Sequence, residues 1–353
     1  MNYVEVIGSL TAAQGVTGNE NDVSKCVMTY FKNYTDEVWR DKAGNVFGKM
    51  GEGKPVILVC AHMDEVGMMV TDIEDNGMLR IASVAGVDPR VLPGSDVIIH
   101  AKTGKIKAVV GAIPPHLLNS DLALKNAKKA YKMNELVCDT GLCADKVKAN
   151  VQIGDFVSFA PAKPMELLNN RIAGKTLDDR ALVAAEIRVM EILSKRCLGC
   201  TVIFCATVQE EKGSLGAALA AWGTAPDVGL AVDVCHATTP GLGEFRSYPI
   251  EAITISTGCN IHPRIFEMLR DKADEEHINY EISATMLNTG TDAWDMQIQR
   301  AGIRCGLISV PLRYMHTSVE CISLDALENC ARLMAEFIAD FDEDWEEKLC
   351  FKD

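Results

Sequence analysis

The stretch Pro55-Val-Ile-Leu-Val-Cys-Ala-His62-Met-Asp64-Glu65 decides how this chain folds. From Val56 to Ala61 it is apolar without alternation, opened by a proline and too short for a stable helix. That is the pattern of a strand covered on both faces. Strands of this kind have parallel neighbours and lie between layers of helix, so an α/β fold is expected. The run ends on an imidazole and two carboxylates, at the edge where open α/β sheets place their ligand crevice.

The flanking sequence agrees. Residues 2–34 carry two helical patterns split by Gly15-Val-Thr-Gly18; the second has Val23, Cys26, Val27, Tyr30 and Phe31 at three- and four-residue spacing. Glu37–Arg40 and Asn45–Lys49 read as a hairpin around Asp41-Lys-Ala-Gly44. From about Val70 to Pro164 the texture changes to short β runs (Leu79–Val84, Val97–Ala101, Ile106–Ala112, Phe156–Phe159) broken by Gly, Pro and Asn, apart from a Lys-rich stretch near 120–135. Helix and buried strand then alternate again. Helices are expected over 179–195, 213–221, 262–275 and 324–341, and strands over 201–207, 228–234, 279–286 and 302–309. One buried strand near the N-terminus cannot close a sheet alone. The organisation expected is a discontinuous α/β domain, 1–67 and 166–353, interrupted by a β-rich domain, 68–165. Its fold class is α/β: a doubly wound mixed sheet with helices on both faces.

Composition bounds the function. At 353 residues the chain exceeds the ~250–300 at which single cores stop growing, and 48% hydrophobic residues suffice for well-buried cores. Thirty-five Lys and Arg against 49 Asp and Glu give a net charge of −14, which repels phosphate backbones and anionic membranes. Neither nucleic acid nor membrane is expected as a partner. Met1-Asn-Tyr-Val-Glu5 does not read as a signal peptide, and no run approaches the ~18 apolar residues of a membrane span. The 13 cysteines are odd in number, scattered, and in several cases set in apolar runs (Cys60, Cys205, Cys305), so reduced thiols in a cytoplasm are expected. Cys197-Leu-Gly-Cys200 lacks a partner pair or neighbouring His and reads as chance spacing in a loop.

Acidic and imidazole residues recur at five predicted strand ends or helix starts: His62-Met-Asp64-Glu65, Leu177-Asp178-Asp179-Arg180, Gln209-Glu210-Glu211, Asp233, and Arg313-Tyr-Met-His316 through Glu320. Singly, each has an ordinary explanation. Asp-Asp before a helix is most often a cap, Glu-Glu a solvated face, and a strand-end His a hydrogen-bonded loop residue. Their joint placement favours a metal site. Two His with several carboxylates suit Zn2+, Mn2+ or Co2+ and not Cu(I) or an iron–sulfur cluster. Asp178, short and loop-held, is the candidate to bridge two ions. Asp64 shares a face with His62 and is placed to set its tautomer. Glu210 and Glu211 cannot both point at one ion, so one is expected as ligand and the other as general base. His100, His236, His262 and His277 receive no ligand role.

These motifs, with Ala231-Val-Asp-Val234 and Gly290-Thr-Asp-Ala293, run across almost the whole chain. Together they resemble the M42 metallopeptidases, dinuclear aminopeptidases of the glutamyl and tetrahedral (TET) type. The resemblance implies two divalent ions per chain, zinc foremost and cobalt or manganese as alternatives. It implies one ion on His62, Asp178 and Asp233, the other on bridging Asp178 with Glu211 and His316, and catalytic positions at Asp64 and Glu210. It also implies short peptide substrates, a split catalytic domain, and homo-oligomers, dimers that commonly build dodecamers. Self-association is expected as well because the strand edges of a β insert need cover. The chain departs from the family where Glu211 is followed by Lys212-Gly213 and where Cys235 follows Asp-Val, which changes no ligand type and is expected to bear on the pocket lining and substrate preference. Two other readings share the sequence: a related dinuclear deacylase or carboxypeptidase, and a nonenzymatic scaffold. A glycoside hydrolase is disfavoured by the accompanying histidines and by 6% aromatic residues.

Overall fold

The computed structural model describes residues 1–112, 116, 130–241 and 246–351; most of the Lys-rich stretch near 120–135 lies outside them. The described strands are β1 (Val38–Arg40), β2 (Val46–Met50), β3 (Val56–His62), β4 (Gly67–Ile73), β5 (Leu79–Val84), β6 (Asp96–Ala101), β7 (Gly104–Val110), β8 (Val137–Asp139), β9 (Phe156–Phe159), β10 (Met165–Leu167), β11 (Arg171–Gly174), β12 (Thr201–Thr207), β13 (Val228–His236), β14 (Ile253–Gly258), β15 (Tyr280–Thr285), β16 (Arg304–Leu312) and β17 (Glu320–Ser323). The chain divides into two units. One holds Met1–Glu65, Lys163–Met315 and Val319–Asp353; the other holds Val66–Ala162 with His316–Ser318.

The first unit is built on an eight-stranded mixed sheet in the order β1-β2-β12-β3-β13-β16-β14-β15. Its centre, β12, β3, β13 and β16, is parallel, and antiparallel pairs occur at β2–β12 and β14–β16. Strand β3 shows why the run at 56–61 is uniformly apolar. Ile57, Val59 and Ala61 enter one core cluster, Leu58 and Cys60 enter another, and all five are fully buried. The helix Leu177–Leu193 packs on β3 and β13, while the helices Leu215–Thr224 and Asp292–Met296 also reach β3. Because the central strands are parallel, their C-terminal ends share one edge. His62 is level with Thr207, and Asp233 is level with Ser309.

The second unit is a closed barrel, β4-β5-β8-β7-β6-β9. Alternate residues fill it, among them Met68 and Val70 on β4, Leu79 and Ile81 on β5, and Val157 and Phe159 on β9. Closure pairs the barrel's strands on both sides, so open edges are not the reason for self-association that the sequence suggested. Short elements hidden from the sequence include β4, β14, β17 and the helix Asp292–Met296. The helix Asp292–Met296, at five residues, and β17, at four, are too short to show a period, and β4 lies where the chain passes between units. Among the described residues no helix is long and apolar enough to cross a membrane.

Candidate metal centre

Three chain segments meet at the sheet edge in the first unit. Strand β3 ends on His62, which is 2% exposed. The helix Leu177–Leu193 is entered through Thr176 in the left-handed region (φ 62) and through Asp178 and Asp179, whose dihedrals are not helical; the peptide bond between them is cis. After β12, Gln209 is also left-handed (φ 57) and opens a single 3-10 turn, Glu210–Lys212. A left-handed non-glycine residue costs on the order of 1–3 kcal/mol and persists only where its surroundings hold it. Both turns here aim carboxylates at His62.

His62 Nδ1 lies 3.2 Å from the backbone carbonyl of Asp64. A carbonyl only accepts, so Nδ1 carries the proton and Nε2 presents its lone pair. Nε2 in turn sits 3.0 Å from Asp178 Oδ1 and 4.0 Å from Glu210 Oε2. An imidazole lone pair facing a carboxylate is repulsive until a proton or a cation enters between them. Accordingly burial, which alone would lower it, is overcome by Asp178 and Asp64, and the His62 pKa stands well above its ordinary value. The Asp64 carboxylate, expected to set this tautomer, also approaches Nδ1, at 3.4 Å, beside its own carbonyl at 3.2 Å.

The Asp64 carboxylate also holds the Glu210 turn. It accepts the backbone N–H of Glu210 at 3.0 Å and of Glu211 at 3.3 Å, and a short hydrogen bond from the Thr17 hydroxyl. Asp179 is fully buried; its Oδ2 accepts the His62 backbone N–H at 3.2 Å and its Oδ1 has no partner. Asp178 N–H donates to Glu320 Oε2 at 3.1 Å. Thr207 donates to Asp292 Oδ2 at 2.6 Å, while Asp292 Oδ1 is unpartnered. Burial, reinforced by neighbouring carboxylates, pushes the carboxyls of Asp179, Asp233, Glu210 and Asp292 upward. Glu20, which the sequence did not single out, is buried near Asp64 and raised by that burial to about 7.

Among the described residues, two groups place one ligand atom each within 4.8 Å of the others: His62, Asp178 and Glu211, and His62, Asp179 and Asp233. A buried imidazole with excess carboxylates, an orphaned Asp179 oxygen and upward-shifted acids is a donor set that fits a divalent cation. The chain from Gly44 to Leu333 matches the M42 glutamyl aminopeptidase family model. The chain belongs to that family. It is 31% identical to the lysyl aminopeptidase of Pyrococcus furiosus over 337 residues, 93% of this chain and 94% of the relative. An aminopeptidase structure from Desulfurococcus kamchatkensis superposes with a TM-score of 0.88 at 33% identity, covering 99% of this chain and 98% of that one. The TET1 peptidase of Pyrococcus horikoshii gives 0.84 at 29% identity, with coverage of 96% and 100%. This M42 chain is therefore a metal-dependent aminopeptidase with a mixed α/β fold.

Within the M42 chain the residues singled out from sequence fall into three sets. His62, Asp178, Glu211 and Asp233 enter the two groups, and Asp64 and Glu210 stand beside them. His316 is assigned to the second unit, left-handed (φ 63), with Nδ1 3.1 Å from the Gly86 carbonyl, so its Nε2 also presents a lone pair. A Cβ at Gly86 would come within 2.7 Å of that Nδ1, so a larger residue there would displace the His316 ring. Asp179 is the residue the sequence reading passed over. Adjacent side chains normally diverge, and nothing in Asp-Asp-Arg announces a non-helical entry that brings both carboxylates to one imidazole. Of the family departures, Lys212 is exposed and Cys235 is half-buried beside Thr254.

Proposed function

We propose that the chain removes residues from a free peptide N-terminus at a dinuclear centre, with zinc as the ion that best suits the donors and cobalt or manganese as alternatives. His62, Asp178 and Asp233 would hold one ion, and Asp178, shared between the two, would hold the other with Glu211 and His316. The observation that carries the reading is the 3.0 Å approach of His62 Nε2 to Asp178 Oδ1, a pair that needs a proton or a cation between them, inside two groups of three ligand-type side chains. The carbonyl-held tautomer of His316 supports its share. When bound, the ions supply a Lewis acid for the scissile carbonyl and a water acidic enough to attack at neutral pH. Glu210 takes the proton from the attacking water and hands it to the leaving amine; its burial favours holding that proton between the two steps. Asp64 positions Glu210 and Glu211 through their backbone N–H groups. Asp292, with an unpartnered buried oxygen, and Glu210 are the acids that receive the substrate ammonium.

The test combines metal analysis of purified protein with hydrolysis of aminoacyl anilides and their N-acetylated counterparts. About two ions per chain and cleavage of free-amine substrates alone are expected. Equal cleavage of the acetylated series, or a single ion at full activity, would defeat the proposal. We also assign the barrel unit the role of assembly domain in a homo-oligomer of dimers, the dodecamer being the form expected. Support comes from the Pyrococcus horikoshii relative, which assembles into a tetrahedron or a large octahedral shell; light scattering of the metal-loaded protein decides it. All 13 cysteines are free thiols, which supports work in a reducing, cytoplasmic compartment.

A further inference from the structure

The turn Gly15-Val-Thr-Gly18, between the helices Tyr3–Ala12 and Asn21–Phe31, belongs to neither metal group, yet it reaches the carboxylates at the sheet edge. It does so through one side chain. Thr17, 3% exposed, donates its hydroxyl to Asp64 Oδ2. Asp64 is fully buried, and its other hydrogen bonds include the backbone N–H of Glu210 on Oδ1 at 3.0 Å and that of Glu211 on Oδ2 at 3.3 Å. A continuous path therefore runs from the Thr17 hydroxyl through the Asp64 carboxylate to the backbone that carries Glu210 and Glu211.

The Thr17 backbone is fixed without help from its hydroxyl. Val16 forms a bridge with Glu65, the Thr17 N–H donates to the Glu65 carbonyl at 3.0 Å, the Glu65 N–H donates to the Gly15 carbonyl at 2.9 Å, and the Gly15 N–H reaches Glu65 Oε1 at 3.1 Å. The Asn19 N–H closes a turn on the Val16 carbonyl at 2.7 Å, with Gly18 in the left-handed region (φ 88) at its third position, where a type II turn needs it. A donor on so well-held a backbone orients its acceptor instead of following it. The acceptor needs orienting, because Asp64 Oδ1 also lies 3.4 Å from His62 Nδ1 and the carboxylate is shared between that imidazole and the Glu210 turn. Without the hydroxyl, Oδ2 would keep one long hydrogen bond in a buried setting, and turning toward the imidazole would satisfy the group better.

We propose that Thr17 is a positioning residue for peptide hydrolysis: its hydroxyl orients the Asp64 carboxylate, and Asp64 holds the turn that presents Glu210 and Glu211. This rests on the reading of Glu210 as general base. Thr17→Val keeps the side-chain shape and deletes the hydroxyl, whereas Thr17→Ser keeps the hydroxyl and deletes the methyl group. Two measurements on the full-length, metal-loaded protein separate position from chemistry. Hydrogen exchange read by mass spectrometry follows the Glu210 and Glu211 N–H groups without any catalysis, and steady-state kinetics on a free-amine aminoacyl anilide gives kcat and KM. Thr17→Val should speed exchange in the turn by about tenfold. It should lower kcat by about tenfold to a hundredfold, as a displaced catalytic group does, with KM nearly unchanged. Thr17→Ser should match the wild type in both. If valine crowds the carboxylate and unfolds the chain, Thr17→Ala deletes the hydroxyl with less bulk. Unchanged exchange in the folded hydroxyl-less variant, or Thr17→Ser as impaired as Thr17→Val, overturns the proposal. Glu210→Gln distinguishes the two ways to fail. Impaired Glu210→Gln beside unchanged kcat in Thr17→Val overturns the positioning role alone, whereas wild-type turnover in Glu210→Gln defeats the base assignment and with it the route from Thr17 to the reaction.

Discussion

Asp64 and Glu65 are sequence neighbours, as are Asp179 and Arg180, yet these residues divide between two buried charge clusters of opposite character. Glu65 accepts from Lys175 Nζ at 2.6 Å, Thr176 at 2.8 Å, the Gly15 N–H at 3.1 Å and Arg180 at 3.2 Å. Burial alone would raise its pKa, but Lys175 and Arg180 bring it down to about 2. A few residues away, burial and mutual repulsion push Asp179, Asp233 and Glu210 upward. Both clusters are buried, dense and charged. The first contains its own counter-ions and is complete; the second holds several carboxylates against one imidazole and is complete only with a cation from outside. Burial of charge does not mark a functional site, but a missing counter-charge does.

Removing the metal should break this comparison most sharply. Exhaustive chelation should reduce peptide hydrolysis to background while circular dichroism shows the sheet and helices retained, because the Glu65 cluster needs no metal. Full activity in strong chelator would place the two clusters in one class and refute the metal assignment.

The converse experiment disables the complete cluster. Arg180 is fully buried and donates to the carbonyls of Met63, Leu10 and Ala13 as well as to Glu65. Arg180→Ala leaves three carbonyls and a carboxylate short of a donor, and breaking a buried pair from one side costs about 3–5 kcal/mol. Denaturant unfolding should show that loss, with metal content per folded chain unchanged. A loss within ~1 kcal/mol would mean that water enters and replaces the guanidinium.

Within the incomplete cluster, Glu210→Gln keeps shape and removes the base. It should retain metal and lower kcat by a factor on the order of 10² or more, about 2.7 kcal/mol in the barrier. Turnover near that of the wild type would pass the role to another group, with Glu20 the nearest alternative by its position beside Asp64 and its pKa of about 7.

The comparison also explains what the sequence could disclose. The α/β class was legible because Val56–Ala61 must be apolar on both faces, and Thr201–Thr207 and Val228–Val234 repeat that pattern around it. His62, Asp178, Glu211 and Asp233, which fall in the two candidate groups, drew notice in the sequence because strand ends and a helix start are where chemistry collects. Asp179 was hidden because its orientation depends on local dihedrals, −114° and 21°, that no residue pattern encodes. The Glu65–Lys175–Arg180 network was hidden for another reason: it joins residues 110 and 115 positions apart in sequence, none of which stands out alone. Closure of the barrel was equally invisible, since β8 has three residues and too few side chains to show alternation.

The smallest expected effect is a difference in sign. Carboxyls whose folded pKa lies above the unfolded value bind more protons in the native state, so their contribution is fully present below the unfolded value and is lost as pH rises through the folded one. Asp179, Asp233 and Glu210 are of this kind in the cation-free protein, and His62, also raised, has the same sign. Glu65 has the opposite sign: its contribution is present above about 4.5 and is lost as pH falls toward about 2. Chelated protein should therefore gain stability as pH drops from neutral toward about 5, by about 1.4 kcal/mol per pH unit for each extra proton held, or about 2 °C in Tm. Metal-loaded protein should lose stability over the same interval, because protons compete with the ions for the same ligands. Thermal scans across that range, with and without chelator, read both slopes. Parallel slopes would show that the carboxylates around His62 are not discharged by a bound cation, and the distinction between the two clusters would fall.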